Sequence, residues 1–361
     1  MTPTELRHLL HMNPELSGKE HETQKLLLKA LSDVGYSPKS LCGTGVLALW
    51  SPKEGPYHLF RADVDALPLL EETGWKYASK NENMHACGHD VHTAIIFGLA
   101  ERVRKEKTSK NIAFLFQPAE ETGGGARRCI EDLERLDIDL LDAIALHVTD
   151  EYPLGTVASR AGTLFASAYE VDVNFLGRPA HVADHKSGVD AIEAAADFLK
   201  LVYTRNWEGV LRFGKIRGGN ARNIVAARCL LEGTLRSESW KKNEETIKEI
   251  EALALECARF HDAECHVTTG STYPEVLVDE KLLGSLQHVC KTLGLTFIEC
   301  EMKYTGEDFG FFCHRWPSLM FWLGSRVGDQ QHGLHHPRFL PPDETIEQGI
   351  EILWNLIKFL K

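Results

Sequence analysis

The chain has 361 residues, 43% of them hydrophobic and 25% charged, and a formal net charge of -12. That length exceeds what one hydrophobic core usually fills, so two domains are expected, and the acidic balance argues against a nucleic-acid partner while leaving room for a small anionic substrate beside a local arginine. Residues 1–15 lack an apolar signal core, no stretch approaches the roughly 18 apolar residues of a membrane span, and nine cysteines at scattered spacing do not read as a disulfide framework, so the expectation is a cytoplasmic protein with mostly free thiols and no membrane partner.

In chain order, Ser17-Gly18-Lys19-Glu20 reads as a capping box. It opens a helix with Leu27, Leu28, Leu31 and Val34 on one face and Gly35 as its stop. Apolar runs with strand character follow at residues 46–50 and 57–60, the second ending in Arg61-Ala62-Asp63-Val64-Asp65. A helix is predicted over residues 90–105. The run 112–116 ends at Gln117-Pro118-Ala119-Glu120-Glu121, and the run 143–146 ends at His147. Strands alternating with helices predict an α/β layer with a mostly parallel sheet.

From residue 168 the pattern changes. Tyr169, Val171, Val173 and Phe175 alternate as in a strand with one buried face. A helix at 188–203, strand-like runs at 210–216 and 223–235, a helix at 242–260 and a run at 265–269 complete a β-α-β-β-α-β order, the ferredoxin-like unit. Strand and helix patterns resume at 279–293, 319–323 and 345–360. The expected organisation is a catalytic domain of residues 1–166 and 274–361 with residues 167–273 inserted as a smaller domain.

Five segments carry metal-binding side chains: Cys87-Gly88-His89-Asp90, Glu120-Glu121, His147, His335-His336 and, between them, a lone His181. Taken singly, Cys87 also fits a buried cysteine, His89 a capping histidine, Glu120-Glu121 a solvated acidic loop and His147 a core histidine. Their common place just past apolar strands favours convergence, because sites in open α/β sheets form outside the carboxyl ends of strands. Gly88 lets Cys87 and His89 bend toward one point, and neighbouring carboxylates on an extended backbone point apart, so Glu120 and Glu121 divide two jobs between them, one on metal and one on water.

Arg61-Ala62-Asp63-Val64-Asp65-Ala66-Leu67-Pro68, Met84-His85-Ala86-Cys87-Gly88-His89-Asp90, Phe116-Gln117-Pro118-Ala119-Glu120-Glu121, Gly306-Glu307-Asp308-Phe309 and Leu334-His335-His336-Pro337 together resemble the co-catalytic di-metal amidohydrolases related to zinc carboxypeptidases and aminoacylases. The chain is similar to the branch that holds hippurate hydrolase and the auxin-conjugate hydrolases, over essentially its whole length. That resemblance implies two divalent metal ions per subunit (Zn, Mn, Co or Ni), with Cys87 bridging them and His89, Glu121, His147 and His335 completing the ligand set. It implies Glu120 as general base and later general acid, and Asp65, with Asp63, as an orienting carboxylate. It implies a lid and dimerisation role for the inserted domain, with His181 stabilising an oxyanion in the neighbouring subunit of a homodimer. Asn223 and Arg236 would hold the carboxylate of a small N-acyl amino acid. Within the branch, Lys303-Tyr304-Thr305-Gly306-Glu307-Asp308-Phe309-Gly310 and Phe321-Trp322-Leu323-Gly324 most resemble the deacetylases acting on an acetylated diaminopimelate in bacterial lysine synthesis.

Overall fold

One unit of the fold is built from Met1–Leu164, Val276–Met302 and Glu307–Lys361, the other from Phe165–Glu275 with Lys303–Gly306. The computed structural model describes residues 1–360. The first unit contains α1 (Pro3–Met12), α2 (His21–Asp33), β1 (Lys39–Leu41), β2 (Gly45–Trp50), β3 (Tyr57–Asp63), α3 (His89–Glu106), β4 (Ile112–Gln117), α4 (Gly125–Arg135), β5 (Leu140–Pro153), β6 (Thr156–Ser159) and β7 (Gly162–Phe165). The second contains β8 (Ser167–Leu176), α5 (Ala191–Thr204), β9 (Val210–Gly218), β10 (Arg228–Ser237), α6 (Trp240–Phe260) and β11 (Glu264–Tyr273). The chain then returns to the first unit with β12 (Val276–Val278), α7 (Glu280–Leu293), β13 (Thr296–Glu299), α8 (Gly310–Cys313), β14 (Ser318–Arg326) and α9 (Glu344–Ile357).

The first unit is an eight-stranded sheet in the order β1-β2-β4-β3-β5-β14-β6-β13. Its centre is parallel: β3 runs with both β4 and β5, and β14 runs with β5. The flanks depart from that rule, with β1–β2, β2–β4 and β14–β6 antiparallel. The large, mostly parallel α/β sheet is therefore as expected, and its β4 is buried along its whole length, as a strand covered on both faces must be. On one face α3 packs against α1 and α9. A Cβ on Gly98 would lie 2.2 Å from Ile350 Cδ1, so only glycine lets α3 and α9 approach this closely.

Two local expectations are corrected. The capping box at Ser17–Glu20 does not form: Glu20 flanks α2 without a side-chain cap, and its carboxylate accepts instead from Thr44 Oγ1 and Ala119 N. A capping box does form three residues apart at Thr2 and Glu5, where it opens α1, a helix not predicted. His147 does not end its strand, because β5 continues to Pro153. Cys42 and Cys129 are disulfide-bonded, with Cα atoms 5.2 Å apart, and Cys87 is not in a disulfide.

The second unit runs β8-α5-β9-β10-α6-β11, with an antiparallel sheet in the order β11-β8-β10-β9. Val171, Val173 and Phe175 on one face of β8 pack with Phe198, Ile250 and Leu253 from the two helices. The strand predicted from residue 223 begins only at Arg228. Among the described residues no helix is long and apolar enough to cross a membrane.

Candidate metal centre and active site

Because β3, β4 and β5 are parallel, their carboxyl-terminal halves bring Asp63, Gln117 and His147 to one region of the sheet. The turn into α3 supplies the rest. Gly88 is in the left-handed region at φ 85°, and a Cβ there would lie 2.3 Å from Val148 Cγ2. Glycine thus permits both the turn and its close seating on β5, and it aims its two neighbours, Cys87 and His89, inward. Both are buried.

The tautomers follow from the backbone. His147 Nδ1 lies 2.8 Å from the Val148 carbonyl oxygen, which can only accept, so Nδ1 carries the proton and the Nε2 lone pair faces Cys87 Sγ at 3.4 Å. His89 Nδ1 likewise donates to the Asp65 carbonyl at 3.0 Å, leaving Nε2 buried with no hydrogen-bond partner. Glu121 Oε1 is also buried and unpartnered, 4.0 Å from His89 Nε2 and 3.4 Å from His335 Nε2. His335, at φ 62°, is tied by its own N–H to the Ala86 carbonyl, next to Cys87.

These side chains form overlapping donor groups. Cys87, His89 and His147 make one and Cys87, Glu121 and His335 another, each with ligand atoms within 4.8 Å of one another. A divalent ion in each would satisfy the orphaned His89 and Glu121 atoms, and Cys87 is the one donor common to both. The residues present therefore fit a metal pair.

Electrostatics bear on that fit. Burial, and then Glu121 and Glu120, push the Cys87 thiol well above its usual range, so the thiolate needs a cation. Burial opposes a charged His89, but Asp63 and Asp65 outweigh it and raise the ring to about 10, so a metal ion would have to displace a proton from Nε2. Burial, followed by His92, holds His147 neutral as a ligand must be. Burial and then the neighbouring Glu307, Glu121 and Asp308 carboxylates raise Glu120.

Glu120 is buried beside this cluster, and its carboxylate receives one long contact, from Asp308 N at 3.5 Å. Asp65 accepts from Ser17 Oγ at 2.6 Å and from Glu121 N at 3.0 Å, with its carbonyl on His89. Asp63 is held by Arg61 at 2.7 Å and by His92 Nδ1 at 2.6 Å. His336 stacks on His332 and stands outside the donor groups.

Residues that lie in the matching segments but were given no role form the floor of the site. Arg61, 1% exposed, donates to Gln117, Asp63, Glu307 and Asp308. Gln117 Nε2 and Ala126 N in turn bind Asp308, which ties the Glu307-Asp308 turn to the loop that carries Glu120. His92 bridges Asp63 and the backbone N–H of Val148. One signal was available: Asp90-Val91-His92-Thr93 sits one helical turn after His89, so His92 lies on the same face of α3.

In the second unit, His181 and Asn223 are neighbours: His181 bridges Ile224, and Val182 N donates to the Asn223 carbonyl. Both side chains are exposed. His181 Nδ1 accepts from Ala183 N at the start of a 3-10 turn, Val182–Ser187. Arg236 on β10 is half-buried and donates to the Tyr304 carbonyl at 2.5 Å.

Residues 59–358 match the model of peptidase family M20/M25/M40. The chain is 36% identical to the N-acetyldiaminopimelate deacetylase of Shouchella clausii, covering 98% of this chain and 96% of that one. It is 35% identical to the protein of the same name from Halalkalibacterium halodurans, over 99% and 98%. Among solved structures it resembles the Bacillus subtilis YXEP protein, described as a dinuclear metal binding peptidase from the M20 family. The TM-score is 0.87 at 27% identity, covering 98% of this chain and 96% of that one. The chain belongs to peptidase family M20/M25/M40.

Proposed function

We propose that this protein is a metal-dependent amidohydrolase that removes the acetyl group from N-acetyl-L,L-diaminopimelate. The observation that carries the reading is the pair of donor groups sharing Cys87, with the weakly engaged carboxyl of Glu120 beside them. Support for the substrate is the near full-length similarity to two N-acetyldiaminopimelate deacetylases.

Cys87, His89, Glu121, His147 and His335 would hold two divalent ions, with Zn, Mn, Co and Ni all compatible with this donor set. When bound, such ions polarise an amide carbonyl and make water a stronger acid. Glu120 takes the proton of the attacking water and passes it to the departing amine. Asp65 keeps His89 and Glu121 oriented through its carbonyl and carboxylate. Asp63, countered by the Arg61 charge and hydrogen-bonded by the neutral His92, shapes the field behind His89.

In our reading the second unit is a lid that also forms a homodimer, and β9, an edge strand exposing Ile216, supports that use. His181 donates to the developing oxyanion in the partner subunit's site, and Asn223 and Arg236 hold the substrate carboxylate.

The test is amine release by the Mn- or Zn-reconstituted protein from N-acetyl-L,L-diaminopimelate, N-acetyl-methionine and hippurate. We expect kcat/KM for the first to exceed the others by at least about tenfold, the scale of one discriminating polar contact. Equal or better turnover of the other two would replace the assignment with a general aminoacylase.

A further inference from the structure

The catalytic unit has a cavity of about 370 Å³ at the end of β14, and none of the five metal-binding candidates lines it. Its wall includes Ser325, Arg326, Asp150, His332, Arg338 and Thr73. That volume is in the range of small-molecule sites, roughly 300–1,000 Å³.

Two polar groups in the wall lack partners. Ser325 is 3% exposed, and its Oγ has no hydrogen-bond partner. The adjacent Arg326 has a buried Nε that is also unpartnered. Successive residues of a regular strand point to opposite faces. Here the ladder between β14 and β5 shifts register, from Gly324 opposite Thr149 to Arg326 opposite Pro153, and both residues reach the same cavity. A buried hydroxyl and a buried guanidinium N–H left unsatisfied are costly, and an oxyanion satisfies both at once.

The acidic group nearby does not serve that purpose. Asp150 is committed to the backbone, accepting from His332 N at 2.6 Å and from Gly333 N at 3.0 Å. Arg338 reaches Glu72 only through an exposed 3.3 Å contact, so its guanidinium remains available at the rim.

We propose that this cavity is a second binding site, for a small molecule carrying a carboxylate or phosphate, held by Ser325 Oγ and Arg326 Nε with Arg338 at the rim. His332 and Gly333, anchored to the cavity wall through Asp150, immediately precede Leu334 and His335. Occupancy of the cavity therefore steadies the segment that presents His335 to the metal cluster. The site does not depend on which amide the enzyme hydrolyses.

Calorimetric titration of the metal-loaded protein with inorganic phosphate and, separately, with succinate tests this. We expect saturable binding of at least one probe, weakened at least about tenfold in both Ser325→Ala and Arg326→Gln, with kcat/KM in anion-free buffer within about twofold of wild type. Phosphate alone or succinate alone would identify the ligand class. Hydrogen exchange across residues 327–336 should slow on addition of the bound probe in wild type and not in Ser325→Ala. Unchanged affinity in both variants would place the anion on the metals and overturn the proposal, as would the absence of saturable binding below about 10 mM, weaker than ordinary metabolite sites. Ser325→Ala removes one hydroxyl and no charge, so it keeps the test decisive if Arg326→Gln does not fold.

Discussion

Cys87 Sγ faces His147 Nε2 at 3.4 Å, with the imidazole proton already committed to the Val148 carbonyl on the far side of the ring. With no cation present the thiol can donate weakly to that lone pair, whereas a cation between them would bind both the thiolate and the ring. Cys87 also joins Glu121 and His335, so its loss should disturb both halves of the cluster. Cys87→Ser should reduce bound metal, measured by plasma mass spectrometry, from about two per chain to one or fewer, and lower kcat by at least about 100-fold. Two tightly held metals in that variant would remove Cys87 from the bridge.

Glu120→Gln tests the division of labour between the two carboxylates. General acid–base residues contribute about 10²- to 10⁴-fold, and here one group serves both proton transfers, so kcat should fall by at least about 10³-fold. Metal content should stay at the wild-type level, because in the proposed division Glu121 holds the metal and Glu120 does not. A variant that retains most of its turnover would exclude Glu120 as the base.

Arg61 is a buried cation among Asp63, Glu307 and Asp308. Arg61→Met leaves those carboxylates without their counter-charge and should destabilise the protein by about 3–5 kcal/mol in urea unfolding, the usual cost of breaking a buried pair from one side. Arg61→Lys keeps the charge but loses the planar fork, so its loss should be smaller yet measurable. Unfolding curves of Arg61→Met that overlay wild type would show that the network carries no stability.

His11 packs on α1 with Nδ1 at 2.9 Å from Asp90 and Nε2 at 3.2 Å from Glu71. Burial opposes its charge, but Asp90 and Glu71 prevail and raise it to about 9. Because the folded value is above the unfolded one, near 6.5, the charged ring stabilises fully below about pH 6.5 and ceases to do so as pH rises through about 9. The unfolding free-energy gap between wild type and His11→Gln should therefore shrink between pH 6.5 and 10, by roughly 1–3 kcal/mol. A gap that stays constant, or widens, would mean that His11 is neutral in the fold.

If His181 acts in the partner's site, inactive Glu120→Gln and His181→Ala chains should complement each other. In mixed dimers one site regains both a working Glu120 and a working His181, so random exchange at equal amounts should restore roughly a quarter of wild-type activity per chain. No recovery despite demonstrated subunit exchange would confine His181 to its own subunit or to no catalytic part.

The fold and the centre of the site were legible for different reasons. The strand ending at Gln117 announces itself as an unbroken apolar run, which is what a parallel strand covered on both faces requires, while the apolar run of the strand ending at Asp63 is shorter and interrupted by His58. Cys87-Gly88-His89 was legible not by itself but because Glu120-Glu121 and His147 also stand just past apolar runs. The roles of Arg61 and the Glu307-Asp308 turn were not legible, although both stand in segments that carry the resemblance, since an arginine after a strand and an acidic pair in a loop look like solvent-facing groups until distant segments bury them together. Helix α1 is short, and its apolar stripe rests on little more than Leu6 and Leu10, both buried. What holds it is a capping box and the buried Arg7, whose partners Asp90 and Asp343 lie far along the chain.

β5 and β14 are neighbours in the central sheet, yet the whole second unit is synthesised between them. On the ribosome, β5 must wait with one edge unpaired until β14 emerges, and the turn holding Cys87 and His89 waits longer for His335. Contacts this distant in sequence form late and slowly. The five candidate ligands can therefore meet only once β14 and the loop carrying His335 have been made. A nascent or truncated product ending before residue 318 would carry an open sheet edge and be a target for aggregation or degradation.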